Sequence, residues 1–108
     1  QAQLAGVKAA TPGTSLCDVD RACRDIIKAA GYGDYFVHST GHGIGLDVHE
    51  LPYAATTGSG ELAEGMTLTI EPGIYVPGKG GVRIEDTLII TSGEPEIITK
   101  VSKELRVV

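Results

Sequence analysis

A chain of 108 residues has the length of one ordinary domain, enough to bury a core and too short for two. Apolar residues at 42% and charged residues at 21% are ordinary for globular proteins and disfavour both disorder and a fibrous repeat. The formal net charge of -5 argues against nucleic acid or an anionic membrane as the main partner, because both need clustered Lys and Arg. A small or peptidic substrate fits better. No apolar run reaches the length of a membrane span and no signal-like segment opens the chain, so the expected compartment is the cytoplasm.

Gln1 to Ala10 is rich in Ala, Leu, Lys and Gln and ends at Thr11-Pro12-Gly13, which predicts the tail of a helix and a turn. The chain also starts without a Met, its only Met being Met66, so the natural protein is expected to begin further upstream. Next, Leu16, Val19, Cys23, Ile26 or Ile27 and Ala30 follow steps of three and four, with Ser15 as N-cap and Gly31 just past the end. The opposite face of this helix, with Asp18, Arg21, Arg24, Asp25 and Lys28, reads as solvated surface. Cys17 and Cys23 lie six apart on separate faces and are expected to be free thiols.

After Gly31 the texture changes to Gly-rich loops and short strand-like runs. Met66 to Glu71 alternates, with Met66, Leu68 and Ile70 on an apolar face and Thr67, Thr69 and Glu71 on a polar one. Val82 and Ile84 alternate likewise with Arg83 and Glu85, which should project to one side. Gly78 to Gly81 predicts a hairpin connection, and Thr87 to Ile90 and Glu96 to Thr99 are further strand candidates. The expected core is Leu16, Val19, Cys23, Ile26, Met66, Leu68, Ile70, Ile84 and Leu88.

All three histidines fall in the string from His38 through His42 to His49, where glycines stand at 41, 43 and 45. Single histidines are commonly packing residues, but this concentration in a Gly-rich segment points to a site. The glycines make a helical zinc motif improbable despite the four-residue step from His38 to His42, and they suggest close approach of backbone and substrate instead. A phosphate-binding loop ranks far behind, because the Lys and Ser/Thr of such a loop are missing. Glu71, followed by Pro72 and Gly73, and Glu85, beside Arg83 and Asp86, are the acidic candidates. Alone, either reads as a solvated or ion-paired carboxylate. With a neutral imidazole they make a nitrogen and oxygen donor set suited to Mn, Co or Zn.

The string His38 to Glu50, then Glu71-Pro72-Gly73-Ile74-Tyr75, then Arg83-Ile84-Glu85-Asp86-Thr87, resembles the prolidase and aminopeptidase P branch of the pita-bread metallopeptidases in order and spacing. The match spans nearly the whole chain. The resemblance implies His42, Glu71 and Glu85 as metal ligands, with Glu71 also handling the proton of the attacking water and Glu85 bridging two divalent ions. It implies His38 and His49 as groups that hold the scissile carbonyl and the tetrahedral intermediate, and Arg83 as a partner of a carboxylate or of the substrate's carboxyl group. His38, Gly73 and Asp86 favour the proline-specific branch over methionine aminopeptidases, and the three ligands argue mildly against creatinase-like proteins, which lose metal ligands.

The family's site also needs two aspartates from upstream strands, and no such pair with its surrounding motif is present. Residues 1–108 are therefore expected to be the carboxyl-terminal portion of a catalytic domain: an α+β part of the pita-bread fold, with a helix packed on a curved, mainly antiparallel sheet. Its implied partners are an Xaa-Pro dipeptide or peptide, the upstream half of the same enzyme, and a second copy in a homodimer. A non-catalytic peptide- or protein-binding module on the same fold, or a methionine-aminopeptidase-like relative, is the alternative.

Overall fold

The computed structural model describes residues 1–108 as two α-helices, a short 3-10 turn and seven short strands. Helix α1 (Ala2–Ala9) stops before Thr11-Pro12-Gly13, and helix α2 (Leu16–Ala29) starts where the Ser15 hydroxyl accepts a hydrogen bond from the Asp18 amide at 3.1 Å. Gly31, at φ +84°, closes α2, its amide donating to the Lys28 carbonyl while Tyr32 donates to that of Ile27. A 3-10 turn, Gly33–Tyr35, then leads into the histidine segment.

The strands are β1 (Gly41–Gly43), β2 (Glu50–Ala54), β3 (Thr67–Ile70), β4 (Gly73–Val76), β5 (Gly80–Arg83), β6 (Asp86–Ile89) and β7 (Glu96–Ile97). Every pairing is antiparallel, as expected, but the pairs form three ladders: β1-β2, β3-β6-β7 and β4-β5. Between β1 and β3 side chains take over from the backbone ladder. The His42 amide donates to Thr69 Oγ1 at 3.0 Å and the Ile44 amide to Thr67 Oγ1 at 3.3 Å, while just beyond the strands one backbone bond runs from the Glu71 amide to the Thr40 carbonyl at 2.7 Å. The hairpin joining β4 to β5 turns at Pro77–Lys79, so Gly80 and Gly81 belong to the ladder opposite Val76 and Tyr75.

Leu16, Val19 and Cys23 of α2 pack with Leu68, Ile70 and Leu88 of β3 and β6 in one core, together with Ile27, Phe36 and Ile90. Burial raises the Cys23 thiol to about 11, so it stays a neutral, apolar-like core group, and both cysteines are free. Three expected core residues are not in it. Ile27 takes the buried position in place of Ile26, which is half-buried, as is Met66 just ahead of β3. Ile84, just after β5, is 38% exposed. Ile26 and Ile84 instead line an apolar groove with Pro72, Ile74 and Val82.

The charged face of α2 is also not uniformly solvated. Asp18 and Arg21 pair at the surface, but the Arg24 side chain is only 13% exposed and grips Asp20, which is 1% exposed. No helix is long and apolar enough to cross a membrane.

Candidate active site

His42 occupies the middle of β1, between two glycines whose lack of a side chain is a packing requirement. A Cβ on Gly41 would overlap the Thr69 carbonyl of β3, and one on Gly43 would overlap the Leu51 carbonyl of β2. Here glycine serves close approach of neighbouring backbones on either side of the histidine, rather than approach of a substrate. Gly41→Ala is therefore expected to cost about 1–3 kcal/mol, since the obstructing atom is backbone and β1 must move off β3. Denaturant unfolding measures this, and a loss no larger than that of an exposed surface substitution would contradict the packing argument.

The strand sets the imidazole's hydrogen bonding as well as its position. His42 Nδ1 lies 2.9 Å from the Gly43 carbonyl, an atom that can only accept, so the tautomer assigned from the network carries its proton on Nδ1. The lone pair of Nε2 then faces Glu71 Oε1 at 3.0 Å. That oxygen already accepts a hydrogen bond from Thr69 Oγ1 at 2.8 Å. Two acceptors facing each other in a largely buried place call for a proton or a cation between them, and a divalent metal fits this nitrogen and oxygen pair.

Glu71 sits on the polar side just after β3, and Arg83 reaches it from the end of β5, with Nε 3.7 Å from Glu71 Oε2 and 3.8 Å from Glu85 Oε2. The Tyr75 hydroxyl, then Glu71 and Glu85, hold the Arg83 guanidinium above its ordinary range, so it is a fixed cation between two carboxylates. The expected convergence is consequently incomplete. His42 and Glu71 meet, but no three His, Cys, Asp or Glu side chains come close enough to hold a metal, and Glu85 joins the pair through Arg83. Asp86, next to Glu85, is buried elsewhere: Gln3 Nε2 donates to its Oδ2 at 2.7 Å, and Lys103 Nζ pairs ionically with Oδ1 at 2.6 Å outside hydrogen-bond geometry.

His38 and His49 flank this pair. His38 Nδ1 donates to the Ser39 carbonyl at 2.7 Å, which leaves Nε2 to accept from the Tyr75 hydroxyl at 3.0 Å. The His49 ring lies 4.4 Å from that of His42, centre to centre, and is exposed. His38, His42, His49, Glu71 and Arg83 line one cleft of about 320 Å³ with Ser39 and Tyr53.

Sequence reasoning assigned no role to Tyr75, Thr69, Thr40, Asp20 or Arg24. Tyr75 lay within a quoted motif, and the four-residue step from Asp20 to Arg24 is the spacing at which helix side chains meet. The threonines gave no signal, because their part depends on which strand faces them.

Comparison with solved structures defines the class of fold. The chain superposes on the Xaa-Pro dipeptidase from Bacillus anthracis with a TM-score of 0.94 at 54% identity, over 96% of this chain and 29% of that one. It superposes on the X-Pro aminopeptidase from Thermotoga maritima with a TM-score of 0.92 at 40% identity, over 95% and 29%. The α+β architecture is thus part of a pita-bread fold. Residues 1–92 match the model of metallopeptidase family M24, and the chain belongs to that family. It is 51% identical over 105 residues to the Xaa-Pro dipeptidase of Pyrococcus furiosus, covering 97% of this chain and 30% of the relative. The chain therefore spans about 30% of the length of the curated relatives it matches.

Proposed function

We propose that the complete protein hydrolyses the peptide bond preceding proline in a dipeptide or at a peptide's amino terminus. The observation that carries this reading is the His42 Nε2 to Glu71 Oε1 contact of 3.0 Å, two opposed acceptors beside a line of charge through Arg83 to Glu85. His42, Glu71 and Glu85 would hold two divalent ions, Mn, Co or Zn, with two aspartates supplied by the upstream half. Such ions polarise the scissile carbonyl and activate water near neutral pH.

The chain's own residues account for the remaining steps. Glu71 takes the proton of the attacking water at a carboxylate oxygen and returns it to the leaving prolyl nitrogen. His49, exposed beside His42, donates to the oxygen on which charge develops. His38 has no free N–H while it serves Tyr75 and Ser39, so it reaches the carbonyl oxygen by relinquishing Tyr75 or through that hydroxyl. Arg83 receives the substrate's carboxyl group or holds Glu71 and Glu85 apart.

The groove lined by Ile26, Pro72, Ile74, Val82 and Ile84 supports the upstream half as the segment that packs here, since apolar surface of this kind is normally covered. A homodimer and a cytoplasmic location, where thiols stay reduced, belong to the same reading. No observation favours the binding module or a methionine-aminopeptidase-like activity.

The test assays Gly-Pro and Ala-Pro hydrolysis with Mn or Co for residues 1–108 and for the chain extended by its upstream half. The extended protein is expected to turn over and to lose activity with a chelator, whereas the short chain binds metal weakly and cleaves negligibly. Full activity from residues 1–108 would overturn the ligand count. An extended protein that binds such peptides without cleaving any would establish the binding module instead.

A further inference from the structure

Behind the cleft, on the helix rather than on the sheet, lies a charged pair whose hydrogen bonds are directed at the histidine segment. Arg24 Nε and Nη2 donate to the two carboxylate oxygens of Asp20 at 2.7 and 2.9 Å. Two of the guanidinium's three remaining N–H groups go to backbone carbonyls ahead of β1: Nη1 to Phe36 and Nη2 to His38, each at 2.9 Å. Its face lies 4.1 Å from the centre of the Phe36 ring, which in turn meets the His38 ring edge-on at 5.2 Å. Asp20 Oδ1 accepts from both the amide and the hydroxyl of the wholly buried Thr40, at 3.2 and 2.9 Å.

A buried ion pair is a poor way to stabilise a fold, because apolar side chains of the same volume usually do as well, so its use here calls for another explanation. Geometry supplies one. Thr40 lies between His38 and His42, and its carbonyl accepts the Glu71 amide at 2.7 Å. One residue thereby ties Asp20 to both sides of the His42 and Glu71 contact. Arg24 holds the carbonyl of His38 directly.

We propose that Asp20 and Arg24 are a positioning pair that, through the backbone of His38 and through Thr40, sets the orientation of His38, His42 and Glu71 from helix α2. The proposal rests on the peptidase reading of that cleft for its catalytic consequence. Neither residue lines the cleft. Their effect is on where the reacting side chains stand.

The test uses the full-length protein with Arg24→Lys, which keeps the charge but loses the fork, Thr40→Val, which loses the hydroxyl at nearly constant shape, and Thr40→Ser, which restores it. Leu62→Ala, a core change away from the cleft, calibrates the effect of lost stability alone. Arg24→Lys and Thr40→Val are each expected to lower kcat for Ala-Pro about 10- to 100-fold, and to weaken Zn binding by a similar factor. Substrate KM should move much less, and Thr40→Ser should recover most of the loss. Nitrogen-15 imidazole spectra of the metal-free protein give a second readout. The Nδ1–H tautomers of His38 and His42 are expected to lose their single population in both damaging variants and to keep it in Leu62→Ala. Unchanged imidazole signals and Zn affinity in folded Arg24→Lys and Thr40→Val would overturn the proposal, as would equal changes in Leu62→Ala. If the unsubstituted protein cleaves no Xaa-Pro peptide, the functional reading fails, while the imidazole spectra still decide the positioning role.

Discussion

Glu71→Gln in the full-length protein is expected to lower Xaa-Pro hydrolysis by about 10²- to 10⁴-fold, the range for loss of a positioned acid or base. The substitution is informative because it changes little else. A side-chain amide has the shape of the carboxylate, and its NH2 can donate to His42 Nε2, whose lone pair faces Glu71 Oε1 at 3.0 Å in the tautomer set by Gly43, provided that the Thr69 hydroxyl, which donates to that oxygen at 2.8 Å, turns its proton away. The fold should therefore tolerate the change. What is lost is the negative charge beside Arg83 and, on the proposed reading, the charge that would hold a divalent ion and the basic oxygen that would take a proton from water. Metal affinity measured by calorimetry should fall together with turnover, and Tm should shift little. A variant that keeps its turnover within experimental scatter of the parent would remove Glu71 from the mechanism.

The second large effect is on stability. Leu68→Ala is expected to cost about 2–5 kcal/mol in denaturant unfolding, the range for a filled core position. Leu68 is wholly buried on β3 and stands opposite Leu88 of β6, which is wholly buried too, so truncation opens a cavity that neither strand can close without breaking their ladder. Ile26→Ala offers the contrast. Ile26 is only half-buried and borders the apolar groove, so in residues 1–108 its truncation should cost roughly half as much or less. In the extended protein the cost should rise if the upstream half covers that groove. Equal losses at both positions in residues 1–108 would show that the groove is part of the core.

Much of the architecture was legible in the order of residues because it depends on local rules. The steps of three and four from Leu16 to Ala30, with Ser15 and Gly31 at the ends, are enough to specify α2 and its buried stripe. Alternation from Met66 to Glu71 located β3 and put Glu71 on the polar side. The concentration of histidines between glycines located the cleft, and the three motifs together carried the family.

Tertiary structure alone decided the rest, because it depends on what lies across from each side chain. Ile27 rather than Ile26 faces the core because adjacent helical residues differ by 100° and both fit the periodicity, so the elements packed around the helix select between them. The glycines flanking His42 are explained by carbonyls of Thr69 and Leu51, one of them 28 residues away from Gly41 along the chain. Arg24, read from its place on the charged face of the helix as a solvated residue, is directed inward by Asp20, Phe36 and His38. Glu85 shares a side with Arg83 as the alternation requires, yet Arg83 lies between it and Glu71. Sequence periodicity fixes the face from which a side chain leaves the backbone, whereas the partner it meets is set by long-range packing, and ligands, charge pairs and positioning bonds are made at that second level.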